Sequence, residues 1–227
     1  MNNRKILPLL FTVVTLSLPS AAQSPVNPLR DSLAKAADAL AYHPDSIDLR
    51  LRKASWNVQL EQWEYALAEY NTILGQDARN VAALFYRAFV NERLHKYNFA
   101  RADYETLLQI VPGNFEVRLG LALLNQKDRH FTEALDGINR LVTAHPDSAI
   151  AWAARAGIED EQGMLVPAEY DYSEAIRRDP RNADYLLSRA DIRIRLKEFG
   201  KARQDLDAIT RLGTPKPALR EWYDRCK

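Results

Sequence analysis

The chain has 227 residues, 47% of them hydrophobic, with 31 basic and 30 acidic side chains and a formal charge of +1 at pH 7. That balance gives no electrostatic footing for nucleic acid or an anionic membrane surface as partner. The lone thiol, Cys226, excludes an internal disulfide framework, so stability must come from packing.

Residues 1–22 read apart from the rest. "MNNRK" carries Arg4 and Lys5, "ILPLLFTVVTLSL" is uncharged and mostly apolar, and "PSAA" places small residues before Gln23. This is the layout of a secretory signal, with cleavage expected after Ala22. The apolar run from Ile6 to Leu18 has 13 residues, short of the roughly 20 that a membrane-spanning helix needs, so no membrane span is expected. The expected mature chain is exported, periplasmic or secreted, with 29 basic against 30 acidic side chains once Arg4 and Lys5 are gone.

Residues 23–46 form a linker and a first helix. "NPLRDSLAKAADALAYHP" opens with Asn27 as N-cap and Pro28 at the first helical position. Leu29, Leu33, Ala36 and Leu40 make one apolar stripe.

The tetrapeptide His43-Pro44-Asp45-Ser46 recurs at His145-Pro146-Asp147-Ser148, 102 residues later, which is three times 34. A period of 34 fits every intermediate step, giving units 47–80, 81–114, 115–148, 149–182 and 183–216. Position 8 of each unit is Ala54, Ala88, Ala122, Ala156 and Ala190; position 20 is Ala66, Ala100, Ala134, Ala168 and Ala202. Position 17 is bulky throughout, as Trp63, Tyr97, Phe131, Leu165 and Phe199, and position 32 is Pro112, Pro146 and Pro180 in three units. Ser46, Asn80, Asn114, Ser148 and Asn182 stand immediately before the units. Such residues cap a following helix, and the proline two positions earlier stops the preceding one. The spacing therefore predicts a helix over about positions 1–14, a short turn, and a second helix over about positions 17–30. In that antiparallel hairpin, positions 8 and 20 are equidistant from the turn, so two methyl groups meet where the helices come closest.

A second pair of columns carries charge. Position 7 is Lys53, Arg87, Leu121, Arg155 and Arg189, and position 23 is Glu69, Asp103, Gly137, Asp171 and Asp205. Cation and carboxylate are present together in four units and absent together in the third. The hairpin places them opposite each other, which predicts an interhelical ion pair. Residues 217–227 are expected to be a capping helix with Leu219, Trp222 and Cys226 on one face.

These columns resemble the tetratricopeptide repeat: 34-residue helix-turn-helix units, small residues at positions 8 and 20, aromatics at 17 and 24 (Tyr70, Tyr104, Tyr172), proline at 32, and Trp152 at position 4. Alanine stands at position 8 where that family most often has glycine, and position 11 (Asn57, Asn91, Asn125, Glu159, Arg193) lacks its usual aromatic. The resemblance implies an all-α fold, a right-handed α-α superhelix of five helical hairpins between N- and C-terminal capping helices. It also implies a concave groove lined by the first helix of each unit, where such proteins hold peptides or partner segments at positions near 2, 5, 9, 12 and 13. Carried onto this sequence, the expected partner-binding residues are Leu51, Phe85, Phe89, Glu92, Arg93, Leu119, Leu123 and Lys127. Leucine or phenylalanine at position 5 of most units argues against the family's clamp for a terminal carboxylate, which uses lysine there.

No catalytic, cofactor-binding or metal-binding set emerges. His43, His95, His130 and His145 stand near turns without a metal-ligand spacing, and the 8 glycines form no phosphate-cradling loop. The expected function is a non-catalytic extracytoplasmic scaffold for a protein or peptide partner, with no cofactor; the alternative is a periplasmic chaperone or carrier for exported polypeptides or an apolar ligand.

Overall fold

The computed structural model describes residues 28–227; the expected signal sequence and the Asn27 cap lie outside them. No strand occurs among the described residues. The helices are α1 (Pro28–Tyr42), α2 (Ile47–Gln59), α3 (Trp63–Gln76), α4 (Val81–Arg93), α5 (Tyr97–Ile110), α6 (Phe115–Lys127), α7 (Phe131–Ala144), α8 (Ala149–Glu161), α9 (Leu165–Arg178), α10 (Ala183–Arg195), α11 (Phe199–Arg211) and α12 (Arg220–Asp224). The chain is an all-α superhelix in which α2 to α11 form five successive hairpins.

Local chemistry fixes where each hairpin begins. The residue before each first helix is extended, and its side chain accepts a backbone N–H that the helix leaves unpaired. Ser46 Oγ takes Leu49 at 3.3 Å, Asn80 Oδ1 takes Ala83 at 3.0 Å, and Asn114 Oδ1 takes Val117 at 2.9 Å. Ser148 Oγ takes Ala151 and Asn182 Oδ1 takes Tyr185, both at 3.3 Å. Each cap contributes about 1 kcal/mol.

The first helices end at position 13, one residue earlier than the sequence spacing predicts. The reason is the backbone at position 15, which is left-handed in every unit: φ is 56° at Glu61, 58° at His95, 62° at Arg129, 74° at Gly163 and 63° at Lys197. This turn sends the amide of position 15 back to the carbonyl of position 12 and the amide of position 16 back to that of position 11. In the first unit the two bonds are Glu61 to Val58 at 3.0 Å and Gln62 to Asn57 at 2.8 Å. Helix-end carbonyls are thereby satisfied and the chain reverses.

The two alanine columns are the tightest part of the core. All ten side chains are essentially inaccessible, and each pair from one unit sits in a single apolar cluster, as Ala54 with Ala66 or Ala190 with Ala202. Gly120 serves a related purpose, since a Cβ there would lie 3.0 Å from the Tyr104 ring. Direct contacts of α2 with α4 and of α6 with α8 put the first helices on the inner, shorter wall of the stack.

The ends are closed differently from one another. Helix α1 lies on α2 and buries Ala36 and Leu40. At the other end the expected continuous helix over 217–227 is instead a 3-10 turn, Lys216–Leu219, followed by the five residues of α12. Pro215 and Pro217 supply no backbone N–H, which shortens the helix. Leu219 and Cys226 are nonetheless buried against Leu186, Ala190 and Leu206. The Cys226 thiol donates to the Trp222 carbonyl at 3.3 Å, and burial raises its pKa.

Candidate functional site: the concave wall and its charged edges

Helices α2, α4 and α6 carry the residues expected to meet a partner. Leu51, Phe85, Phe89 and Leu119 are half-buried, each with one side on the core. The Phe85 ring meets Tyr104 edge-on at 6.1 Å, and Phe89 meets Trp63 edge-on, also at 6.1 Å. Leu123 stands out from this strip, 39% exposed. The result is an apolar patch across the second and third units whose aromatic members are held by neighbouring rings.

The charged residues of the same set are engaged with other side chains. Lys127 Nζ lies 2.5 Å from Glu92 Oε1, and the Arg93 guanidinium lies over the Trp63 ring at 5.2 Å. The Glu92–Lys127 pair belongs to a repeating ladder, in which position 12 of one unit meets position 13 of the next. Gln126 Nε2 donates to Glu161 Oε2 at 2.8 Å, and Arg195 pairs with Asp160. Beyond the last unit Arg225 pairs instead with Asp191, at position 9, at 2.6 Å. The ladder joins adjacent units along one edge of the groove.

The structure contains the predicted ion pairs between the first and second helix of a hairpin. Lys53–Glu69 closes at 2.6 Å, Arg87–Asp103 at 2.6 Å, Arg155–Asp171 at 2.5 Å and Arg189–Asp205 at 2.6 Å. The arginines are part-exposed while Asp103, Asp171 and Asp205 are buried, so each carboxylate depends on its partner for solvation.

Sequence reading missed a third relationship, which runs between units rather than within them. Position 11 of one unit faces position 21 of the unit before. Arg101 Nε donates to Asn125 Oδ1 at 3.0 Å, and Arg193 holds Glu169 at 2.6 Å as well as Asp205 at 2.8 Å. In the fourth unit position 11 is Glu159, and the residue at position 21 of the unit before it is Leu135. Glu159 is buried with Oε2 unpartnered. Desolvation, together with the nearby negative charge of Asp171, pushes its pKa up to about 7.

Among the described residues no group of three metal-ligating side chains forms, and no helix is long and apolar enough to cross a membrane. His95 Nδ1 is hydrogen-bonded to Tyr97 Oη at 2.8 Å, and His130 lies 3.4 Å from Asp128. The inner helices thus carry an apolar patch, an inter-unit ladder of polar side chains and a set of interhelical ion pairs.

Comparison with known proteins agrees with this architecture. Residues 168–217 match a family model described as tetratricopeptide repeat, and no curated protein matches. A tetratricopeptide repeat protein from Parabacteroides merdae superimposes with a TM-score of 0.69 at 24% identity, over 88% of this chain and 78% of that one. PilW, described as a widely conserved type IV pilus biogenesis factor, gives 0.70 at 21% identity, over 79% of this chain and 83% of its own. YrrB, described as a TPR protein with an unusual peptide-binding site, gives 0.57 at 20% identity, over 78% and 92%. At these identities the likeness establishes the fold: an α-solenoid of the tetratricopeptide type.

Proposed function

We propose that this chain is a non-catalytic scaffold of the extracytoplasmic space that holds a peptide or partner segment against the concave wall of its second and third units. The observation that carries the reading is the patch formed by Phe85, Phe89, Leu119 and Leu123 on the inner helices, with Leu123 exposed. Water-facing apolar surface of this kind, on a wall of polar and charged residues, marks an interaction site. The peptide-binding site named for YrrB and the pilus biogenesis role named for PilW support it by analogy of fold. Glu92 and Lys127 act here as a brace between units rather than as free charges, so affinity resides in the apolar residues and specificity in shape.

The test is affinity purification of the tagged full-length protein from envelope extracts, followed by the same capture with Phe89→Ala and Leu123→Ala. A partner that is retained by wild type and lost from both variants, with helicity unchanged, is the expected result. Equal recovery by folded variants overturns the assignment of the groove. Export rests on the signal layout of residues 1–22, and N-terminal sequencing of the mature protein is expected to begin at Gln23.

A further inference from the structure

The third unit has a gap where the other four have an ion pair. With Leu121 at position 7 and Gly137 at position 23, no ion pair joins α6 to α7 among the described residues, and a cavity of about 250 Å3 lies between α5, α6 and α7. Leu108, Leu121, Ala122 and Gly137 give it an apolar lining, and Arg118, Arg140 and Glu133 also line it. One unit earlier the corresponding space, about 480 Å3, is lined by Arg87 and Asp103, which meet each other there, so the third unit differs in the chemistry of the lining rather than in having a cavity.

The charges of this cavity are unbalanced in a way that names a ligand. Arg118 donates Nε to the Pro112 carbonyl at 2.8 Å, which leaves its two terminal nitrogens without a partner among the described residues. Arg140 has no hydrogen bond, ion pair or ring contact among the described residues. One carboxylate, Glu133, stands against these two guanidiniums, and its neighbour is His130 Nδ1 at 3.8 Å. Asn125 also lines the cavity, its Oδ1 bound by Arg101. Planar guanidinium groups with free donors bind carboxylates in paired hydrogen bonds. An apolar cavity of roughly 150 Å3 is already enough for a benzene ring, so this one accommodates a branched aliphatic or aromatic body.

We infer that the cavity between α5, α6 and α7 is a binding site for a small organic acid, its compact apolar body against Leu108, Leu121 and Gly137 and its carboxylate on Arg118 and Arg140. The site lies outside the concave residues and is independent of the partner reading above. Gly137 is its gate by size: a Cβ there would rest 3.5 Å from Ala122 Cβ, an ordinary contact, so larger side chains at this position fill the space.

Titration of the full chain with 4-methylpentanoate and with phenylacetate, followed by amide NMR shifts of Leu121 and Gly137 and by calorimetry, tests this. Expected are saturable binding at millimolar concentration, at least tenfold weaker binding of the corresponding amides, a tenfold loss in Arg140→Ala, and no binding to Gly137→Val. Arg140 is exposed, so its variant folds whatever becomes of Gly137→Val. No saturation with either acid overturns the site, as do equal affinities for acid and amide or retained binding in a folded Gly137→Val. If a peptide ending in leucine binds while the free acids do not, the small-molecule assignment is likewise overturned.

Discussion

Arg155 grips Asp171 through two parallel hydrogen bonds, Nε to Oδ2 at 2.5 Å and Nη2 to Oδ1 at 2.8 Å, across the two helices of the fourth hairpin. The aspartate is 1% exposed, whereas the arginine stacks on Trp152 at 4.9 Å and donates Nη1 to Asn139. Loss of either member has unequal consequences. Arg155→Ala leaves a buried carboxylate unpaired, which costs about 3 to 5 kcal/mol. The double variant Arg155→Ala, Asp171→Ala is expected to recover part of that loss, giving a coupling energy above about 1 kcal/mol in urea unfolding. Additive effects would mean that the pair does not lock the hairpin.

Glu159 turns the same site into a source of pH dependence. In the unfolded chain its carboxyl titrates near the ordinary glutamate value; in the folded protein it holds its proton up to about pH 7 because it is desolvated and faces Asp171. The folded state therefore binds more protons than the unfolded state between those values, and its stability falls as pH rises through that window. Glu159→Gln keeps the shape, removes the charge and supplies an amide donor for Asp171. The variant is expected to be more stable than wild type at pH 8 by on the order of 2 kcal/mol, with little difference at pH 4. Melting temperatures of both proteins across that range check it; parallel profiles would show that Glu159 is solvated as an anion.

The hairpins were legible because their determinants repeat without variation. Ala88 and Ala100, or Ala156 and Ala168, are the same residue in every copy, so one period exposes them and hairpin symmetry pairs them. The ion pairs were legible for the same reason, including their joint absence at Leu121 and Gly137. Contacts between units were not, since each copy solves them with different chemistry: Arg101 with Asn125, Glu169 with Arg193, and Leu135 opposite Glu159. The ladder through Glu92 and Lys127 was hidden because its members are 35 residues apart, one more than the repeat, so no single column shows it. Position 15 gave almost no signal either, since only Gly163 carries the residue that its backbone favours.

The alanine columns make a steric prediction. Ala88 and Ala168 are both 0% exposed, and their methyl groups set how closely the paired helices approach. Ala88→Leu and Ala168→Leu add three carbons each where no space exists, and are expected to destabilise by about 1 to 3 kcal/mol. Ala122→Leu is expected to cost less, because the neighbouring cavity of about 250 Å3 takes up the added volume. Thermal melts of the three variants, ranked against wild type, measure this; equal losses in all three would show that the cavity beside Ala122 does not take up the added volume.

The turn inside each hairpin offers a direct measure of backbone strain. Gly163 has φ of 74° and nothing within 4 Å of an added Cβ, so Gly163→Ala changes the backbone preference and little else. Its expected cost is about 1 kcal/mol, the penalty of a left-handed conformation for a residue with a Cβ. The reverse change is available at Lys197, which adopts φ of 63° in the last hairpin and is exposed. Lys197→Gly relieves the strain but frees the unfolded chain, and the two effects partly cancel. A gain of up to about 0.5 kcal/mol is expected, smaller than the loss at Gly163 by the entropy of the added glycine. Denaturant midpoints for the two variants decide it: a loss at Lys197 together with no change at Gly163 would place the cost of the turn somewhere other than position 15.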